Sequence, residues 1–307
     1  MGALEAITAV FGVLLLAGCA AGNRTGAPNG GGGDRLALSI APGGRAFAVV
    51  EGEVRAEPVG AAAPVDSVGL PSPGLLPGTS SRPYATATRL VRWGSLAATD
   101  AATDIDATDA LVVRVALREG AVAVLDRETG TVRERLTLDA LRGTPDGARV
   151  PLRADLLAAR TLADGSVVAL LALADAVVVR WDAARQPSIW ATAASLPPGA
   201  FALERDAASG GIVVLGARGA LVWLDRFGAV TARADAGPDI RALGRAAGGV
   251  VVLGAGTARR VWPDGRTGAG VALGMDVSAA TSAGPGVVAT LGRRGRARGA
   301  VPDAAWR

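Results

Sequence analysis

The chain has 307 residues, half of them hydrophobic but only 4% aromatic, with 32 basic side chains against 28 acidic ones and a formal net charge of +4. It contains no His and no Lys, so a hydrolase triad built on His, a His-ligated metal and a Lys Schiff base are excluded by composition. The 43 Gly and 17 Pro are dispersed between apolar runs instead of following a G-X-Y period, which excludes collagen and favours one large all-β domain.

At the amino end, Ala6 to Ala17 forms an apolar run. As a helix, twelve residues span about 18 Å, short of the ~30 Å hydrocarbon core of a bilayer. The run therefore reads as the core of a signal peptide over residues 1–18. Leu16-Ala17-Gly18-Cys19 resembles the lipobox of bacterial lipoproteins. That resemblance implies cleavage before Cys19 and attachment of a diacylglycerol to the Cys19 thiol. It also implies an address in the bacterial cell envelope, at the outer membrane facing the periplasm in a Gram-negative cell. Cys19 is the single thiol of the chain, so no internal disulfide can form. Residues 19–34, CAAGNRTGAPNGGGGD, are polar and Gly-rich, a tether that would hold the domain roughly 20 Å from its anchor.

From 35 to 307 one sentence is written repeatedly: a Val-rich run, a break, a second strand, and an Asp that opens a turn. Its copies lie at 110–130, 165–185, 209–228, 248–266 and 285–305, with turn residues Asp126, Asp182, Asp225, Asp264 and Asp303. The Asp spacings are 56, 43, 39 and 39. A period near 40 containing β-branched strands is that of a β-propeller blade. Trp181, Trp223 and Trp262 fall within two residues of a repeat Asp, where a large ring would pack one blade on its neighbour.

In chain order, 36–59 is expected to be the first blade, and 61–83, rich in Pro and Ser, a long connection. The second blade is expected to begin near Thr86 and to be interrupted by the acidic stretch LAATDAATDIDATDA before Leu111. A turn-rich link at 142–151 precedes blades at 152–196, 200–237, 239–273 and 274–307. The expected fold is thus an all-β propeller of six blades, with seven as the alternative. The strand at Leu36 to Ile40 is expected to close the ring by pairing with the last blade, since a bare edge exposes backbone donors and acceptors.

Pro42-Gly43-Gly44-Arg45, and in complete form Pro263-Asp264-Gly265-Arg266, is similar to the P-D-G-R turn of WD-repeat propellers, while AVAVLDRETGTVRERLTL at 121–138 resembles the repeat of quinoprotein-like propellers. These resemblances identify a superfold that hosts many functions. Asp104, Asp106 and Asp109, three carboxylates within six residues of an expected loop, form a candidate Ca²⁺ site, with a solvated insertion as the simpler reading. No other cofactor and no catalytic set is nominated. Ten Arg between 241 and 307 lack interleaved aromatic platforms, so no nucleic acid is expected. The favoured function is a lipid-anchored envelope module that binds or scaffolds a protein partner, by analogy with the outer-membrane β-barrel assembly lipoprotein that has quinoprotein-like blades. The alternative is a quinone- or Ca²⁺-dependent propeller enzyme acting on a sugar or alcohol.

Overall fold

The computed structural model describes residues 36–302 except 43–44, 59–87, 143, 145–146, 148–149, 152–153, 174, 247, 255–256, 273–276, 285–286 and 293–295, with backbone alone at 88–89 and 271–302. The expected signal peptide, the tether, Cys19, Asp303 and the Pro-rich connection at 61–83 lie outside these residues.

Every sheet contains a meander whose first three strands pair in chain order. Strands β1 (Ala37–Ile40), β2 (Ala46–Val50) and β3 (Glu53–Ala56) form the first sheet and receive β5 (Val91–Arg92) as their outer strand. The second sheet is β6 (Ala102–Asp106), β7 (Val112–Leu117), β8 (Ala121–Asp126) and β9 (Val132–Thr137); one helical turn, α1 (Asp139–Arg142), follows it. The third is β10 (Leu156–Thr161), β11 (Val167–Leu171), β12 (Val177–Trp181) and β13 (Pro187–Ala191). The fourth is β14 (Ala202–Arg205), β15 (Ile212–Leu215), β16 (Ala220–Leu224) and β17 (Val230–Asp235), and the fifth is β18 (Ala242–Ala246), β19 (Gly249–Leu253), β20 (Thr257–Val261) and β21 (Val271–Ala272).

The last sheet is built differently. Strands β22 (Val277–Gly284), β23 (Val287–Gly292) and β24 (Arg296–Pro302) come from one end of the described chain, and the outer strand β4 (Thr88–Arg89) from near the other. The expectation of six or seven repeat-derived blades is therefore corrected: five blades each come from one region of the sequence, and a composite sheet shared between distant segments shuts the ring. The route of closure is corrected too. Strand β1 pairs with β2, not with the last sheet, and it is β4 that bonds β24, with Arg89 opposite Arg296 and Thr88 opposite Ala297. Two residues later the same segment pairs with β3, Arg92 opposite Arg55. Residues 88–92 thus form the outer edge of two neighbouring sheets, and Leu90 between them is buried against Leu38, Ala46, Ala48 and Val50. Satisfying both edges at once leaves fewer unpaired backbone groups than the expected arrangement would.

Central strands lie between two neighbouring sheets, which is why their runs are uniformly apolar instead of alternating. On β11, Val167, Ala169 and Leu171 pack toward the second sheet, whereas Val168 and Leu170 pack toward the fourth. On β15, Ile212 and Val214 face the third sheet, and Val213 and Leu215 the fifth. The hydrophobic contribution is thus spread over a series of interfaces between sheets, with no single central core.

The Trp residues do not occupy matching places. Trp181 pairs with the first residue of β11, but Trp223 pairs with the second residue of β15, one step out of phase. A shift of one residue turns a side chain to the opposite face of a strand. Trp181 accordingly packs back on the second sheet and Trp223 forward on the fifth, both fully buried. Trp262, one place beyond β20, is half-buried under the guanidinium groups of Arg260 and Arg266.

The repeated Asp residues work as turn caps. Asp126 accepts the N–H groups of Glu128 and Thr129 at 2.9 and 2.8 Å, Asp182 that of Gln186 at 2.9 Å, Asp225 those of Phe227 and Ala229 at 2.8 and 3.0 Å, and Asp264 that of Arg266 at 3.0 Å. A short carboxylate that bonds its own backbone two to four residues on is the reason Asp opens such turns. The bonds from Thr129 and Arg133 hold the Asp126 carboxyl down at about 2.

Between β14 and β15 the turn leaves no room for a side chain at Gly211. A Cβ there would fall on the backbone carbonyl of Leu224 on β16, which cannot swing aside as a side-chain end could. Gly211→Ala is expected to destabilise the protein by roughly 3 kcal/mol, toward the upper end for overpacking. Urea unfolding measures it; Gly210→Ala in the same turn meets open space but a φ of 72°, so it should cost only the roughly 1–2 kcal/mol of a side chain in the left-handed region.

Candidate functional site

The inner strands of the sheets, β1, β6, β10, β14, β18 and β22, surround the axis and run in the same direction, because each blade reverses direction three times before the chain moves on. Polar side chains here tie one blade to the next. Ser39 Oγ on β1 accepts the N–H of Ala107 at 2.9 Å. Asp104 accepts the N–H of Ala159 at 3.0 Å, and Asp106 that of Thr161 at 2.8 Å, so two alternate residues of β6 bond two alternate residues of β10 in parallel register. These carboxylates bond β10 across the gap between two sheets.

Arg160 sits at the centre of this layer. Its guanidinium donates back to Asp104 on β6 and forward to Glu204 on β14, the latter at 3.1 Å, and so spans three blades. Asp104, Asp106 and Glu204 are all buried, and the Arg160 side chain is only 11% exposed. Burial disfavours the cation, but the surrounding carboxylates outweigh that and drive the Arg160 pKa up. Asp106 also accepts the N–H and hydroxyl of Thr108. Although burial opposes ionisation, the Arg160 charge and these bonds together hold its carboxyl below the ordinary range. Glu204 moves the other way: burial is the largest influence and raises it, Arg160 and the Arg205 N–H pull down, and the charges of Asp106 and Asp104 push up again.

The three carboxylates nominated as a Ca²⁺ set thus occupy different surroundings. The stretch holding Asp104 and Asp106, expected to be a looped insertion, is the inner strand β6, and both residues bond β10. Asp109 lies beyond the strand end, where it accepts the Leu111 N–H at 2.8 Å and pairs with Arg114 at 3.2 Å. Among the described residues no group of three or more Asp, Glu, His or Cys is placed to hold a metal ion. Asp100, the fourth acid of the stretch, pairs with Arg135 at 2.5 Å. Sequence reasoning missed Arg160 and Glu204. The signal available was a long charged residue set inside a short strand, Arg160 in LLAART and Glu204 beside Arg205 in ALER, which a buried strand tolerates only when partnered.

A second feature is a face of the ring. Inner strands sharing a direction put all first-to-second and third-to-fourth strand turns at one end. The exposed large hydrophobics described here, Val91, Leu111, Phe227 and Val230, all lie at that end. Leu111 and Phe227 are the most open, at 69% and 70%. Phe227 rides on the Asp225-capped turn with the Arg226 guanidinium over its ring at 4.7 Å. Gly228 follows at φ 87°, packed so closely beneath by the Trp190 carbonyl and indole that no side chain would fit. The ring of Phe227 is held outward by a constrained turn.

No family model matches the chain, and no curated protein matches it. Solved structures do match in fold. A chain in the crystal structure of a mitotic checkpoint complex gives a TM-score of 0.54 at 11% identity, covering 86% of each chain. The WD40 β-propeller domain of Doa1 gives 0.53 at 12% identity over 89% of this chain and 81% of that one, and the β-propeller domain of Myceliophteria thermophila Cps50 (Swd1) gives 0.51 at 12% over 85% and 81%. At such identities the similarity establishes a WD40-like propeller fold and nothing finer.

Proposed function

We propose that this protein is a binding or scaffold module for a protein partner, held at the bacterial cell envelope by a lipid on Cys19. The single observation that carries the binding reading is that Val91, Leu111, Phe227 and Val230, from three blades, all lie at one end of the ring, with an aromatic ring exposed on a capped turn. Large apolar side chains presented at one end of a rigid ring supply anchors for a partner, and aromatic anchors dominate the energetics of protein interfaces. The neighbours in fold include a chain in the crystal structure of a mitotic checkpoint complex. The lipobox-like Leu16-Ala17-Gly18-Cys19 supports the address.

The reading is tested by affinity capture from detergent-solubilised envelopes. Wild-type protein should retain a stoichiometric protein partner, and Leu111→Ala with Phe227→Ala should lose at least ten-fold in recovery at unchanged circular dichroism. Equal recovery, or turnover of a sugar or alcohol with added quinone and Ca²⁺, would overturn it. The anchor is tested separately by metabolic labelling with a fatty acid, which Cys19→Ala should abolish; equal labelling refutes lipidation.

A further inference from the structure

Charge is distributed unevenly around the ring. Residues 239–302, which build the fifth sheet and most of the last one, hold together with the shared edge 88–92 eleven Arg against three Asp, a net +8. With +4 on the whole chain, everything else carries −4. The nine strands of this sector, β4, β5 and β18 to β24, contain seven Arg and no acid. We propose that the sector docks on an anionic lipid surface, laying the ring against the bilayer on that side.

Ring closure assembles the patch. The arginines of 88–92 and those of β24 are far apart in the chain, yet Arg89 stands opposite Arg296 in the ladder. Like charges directly opposite each other destabilise a strand pair, so an anion arriving from outside relieves this seam. On the other side of the same segment Arg92 stands opposite Arg55, but Arg55 is taken up by Glu51 and Glu53 at 3.6 and 3.4 Å. Among the described residues every ion pair but one belongs to the first four sheets, and the exception is Arg266 with Asp264 at 2.6 Å. Arg92 and Arg241 are exposed and have no ion pair among the described residues.

A bilayer fits this distribution better than other polyanions. The charges are spread over two sheets and their seam, which a broad flat surface meets together. A single-stranded nucleic acid needs aromatic platforms among the cations. Trp262 of this sector is instead half-buried under the guanidinium groups of Arg260 and Arg266. The choice of lipid rests on the address read from Cys19. Residues 19–34 lead into β1, and the first sheet shares the 88–92 edge with the last one, so a lipid on Cys19 brings the bilayer to the basic side. Leu111 on the second blade and Phe227 on the fourth lie outside the sector, left for the protein partner.

The test uses the full chain with Cys19→Ala, so that no attached lipid contributes; the apolar run at 6–17 carries no charge and gives no preference for anionic lipid. Co-sedimentation compares vesicles of phosphatidylcholine alone with an equal mixture of phosphatidylcholine and phosphatidylglycerol. The mixture should bind at least about tenfold more tightly, since each Arg near an anionic surface is worth up to about fivefold, and the preference should fade as salt shortens the screening length. Arg89→Gln, Arg92→Gln, Arg241→Gln and Arg266→Gln together should abolish it. The matched set Arg118→Gln, Arg133→Gln, Arg218→Gln and Arg233→Gln, all exposed on the second and fourth blades, should leave it. Should the first set fold poorly by circular dichroism, the comparison of vesicles with otherwise wild-type protein still decides. Equal binding to both vesicles, an equal loss in the matched set, or tighter binding to polyglutamate than to the mixed vesicles overturns the proposal. Lipidation of Cys19 is read separately by fatty-acid labelling, so the two readings fail independently.

Discussion

Trp181→Ala is expected to lower the unfolding free energy by about 3–5 kcal/mol, the range for removing a fully buried large aromatic side chain. Trp181 has no exposed surface, and it lies in the interface between the second and third sheets among Leu136, Leu138, Leu141 and Val150. Its indole N–H donates to the Thr137 carbonyl at the end of β9, at 3.0 Å, so it joins the sheets by packing and by a directed bond. Trp223 separates the two contributions, because its indole N–H is buried without a hydrogen-bond partner among the described residues. Trp181→Phe should therefore cost about 1 kcal/mol more than Trp223→Phe, the net value of one hydrogen bond. Urea midpoints give both numbers. A loss below about 1 kcal/mol for Trp181→Ala would mean that packing between blades does not hold the ring.

Arg160→Ala is the second large effect, about 3–5 kcal/mol at neutral pH, as for breaking a buried ion pair from one side. Removing the guanidinium strands Asp104 and Glu204 without a cation and leaves Asp106 with its neutral donors. The carboxylates can recover only by taking up protons, so the deficit should shrink as pH falls. Arg160→Met, which keeps much of the aliphatic stem, should show nearly the same loss at neutral pH, because the missing charge and not the missing volume is at fault. Chemical denaturation at two pH values checks this. A deficit independent of pH would indicate a packing defect.

Much of the architecture was legible in the chain because propeller blades impose two strong local signals. Val-rich runs such as Val167–Leu171 and Ile212–Leu215 are apolar at every position, since each lies between two sheets, and the Asp turns recur because one carboxylate caps each of them. The stretch around Asp104 and Asp106 was misread for an equally physical reason. Alternating acids are what a solvated loop looks like locally, and the Arg that makes them acceptable in a buried strand stands more than fifty residues away. Blade counting failed at the ends of the chain, where the outer strand of the last sheet comes from Thr88 and Arg89, which carry no repeat pattern. Of the candidate site, the acids were visible, whereas the guanidinium that organises them was one Arg among 32.

The shared edge at residues 88–92 has a consequence for biosynthesis. A nascent chain emerges from the ribosome beginning with its amino-terminal part, so Thr88 and Arg89 are made some two hundred residues before the β24 residues they must bond. Each intermediate blade completes its own sheet from its own strands, but the circle stays open, with the Thr88–Arg92 segment at its mouth, until β24 is in place. Closure therefore cannot precede the synthesis of β24, and a chain cut short before Ala297 is left as an open arc.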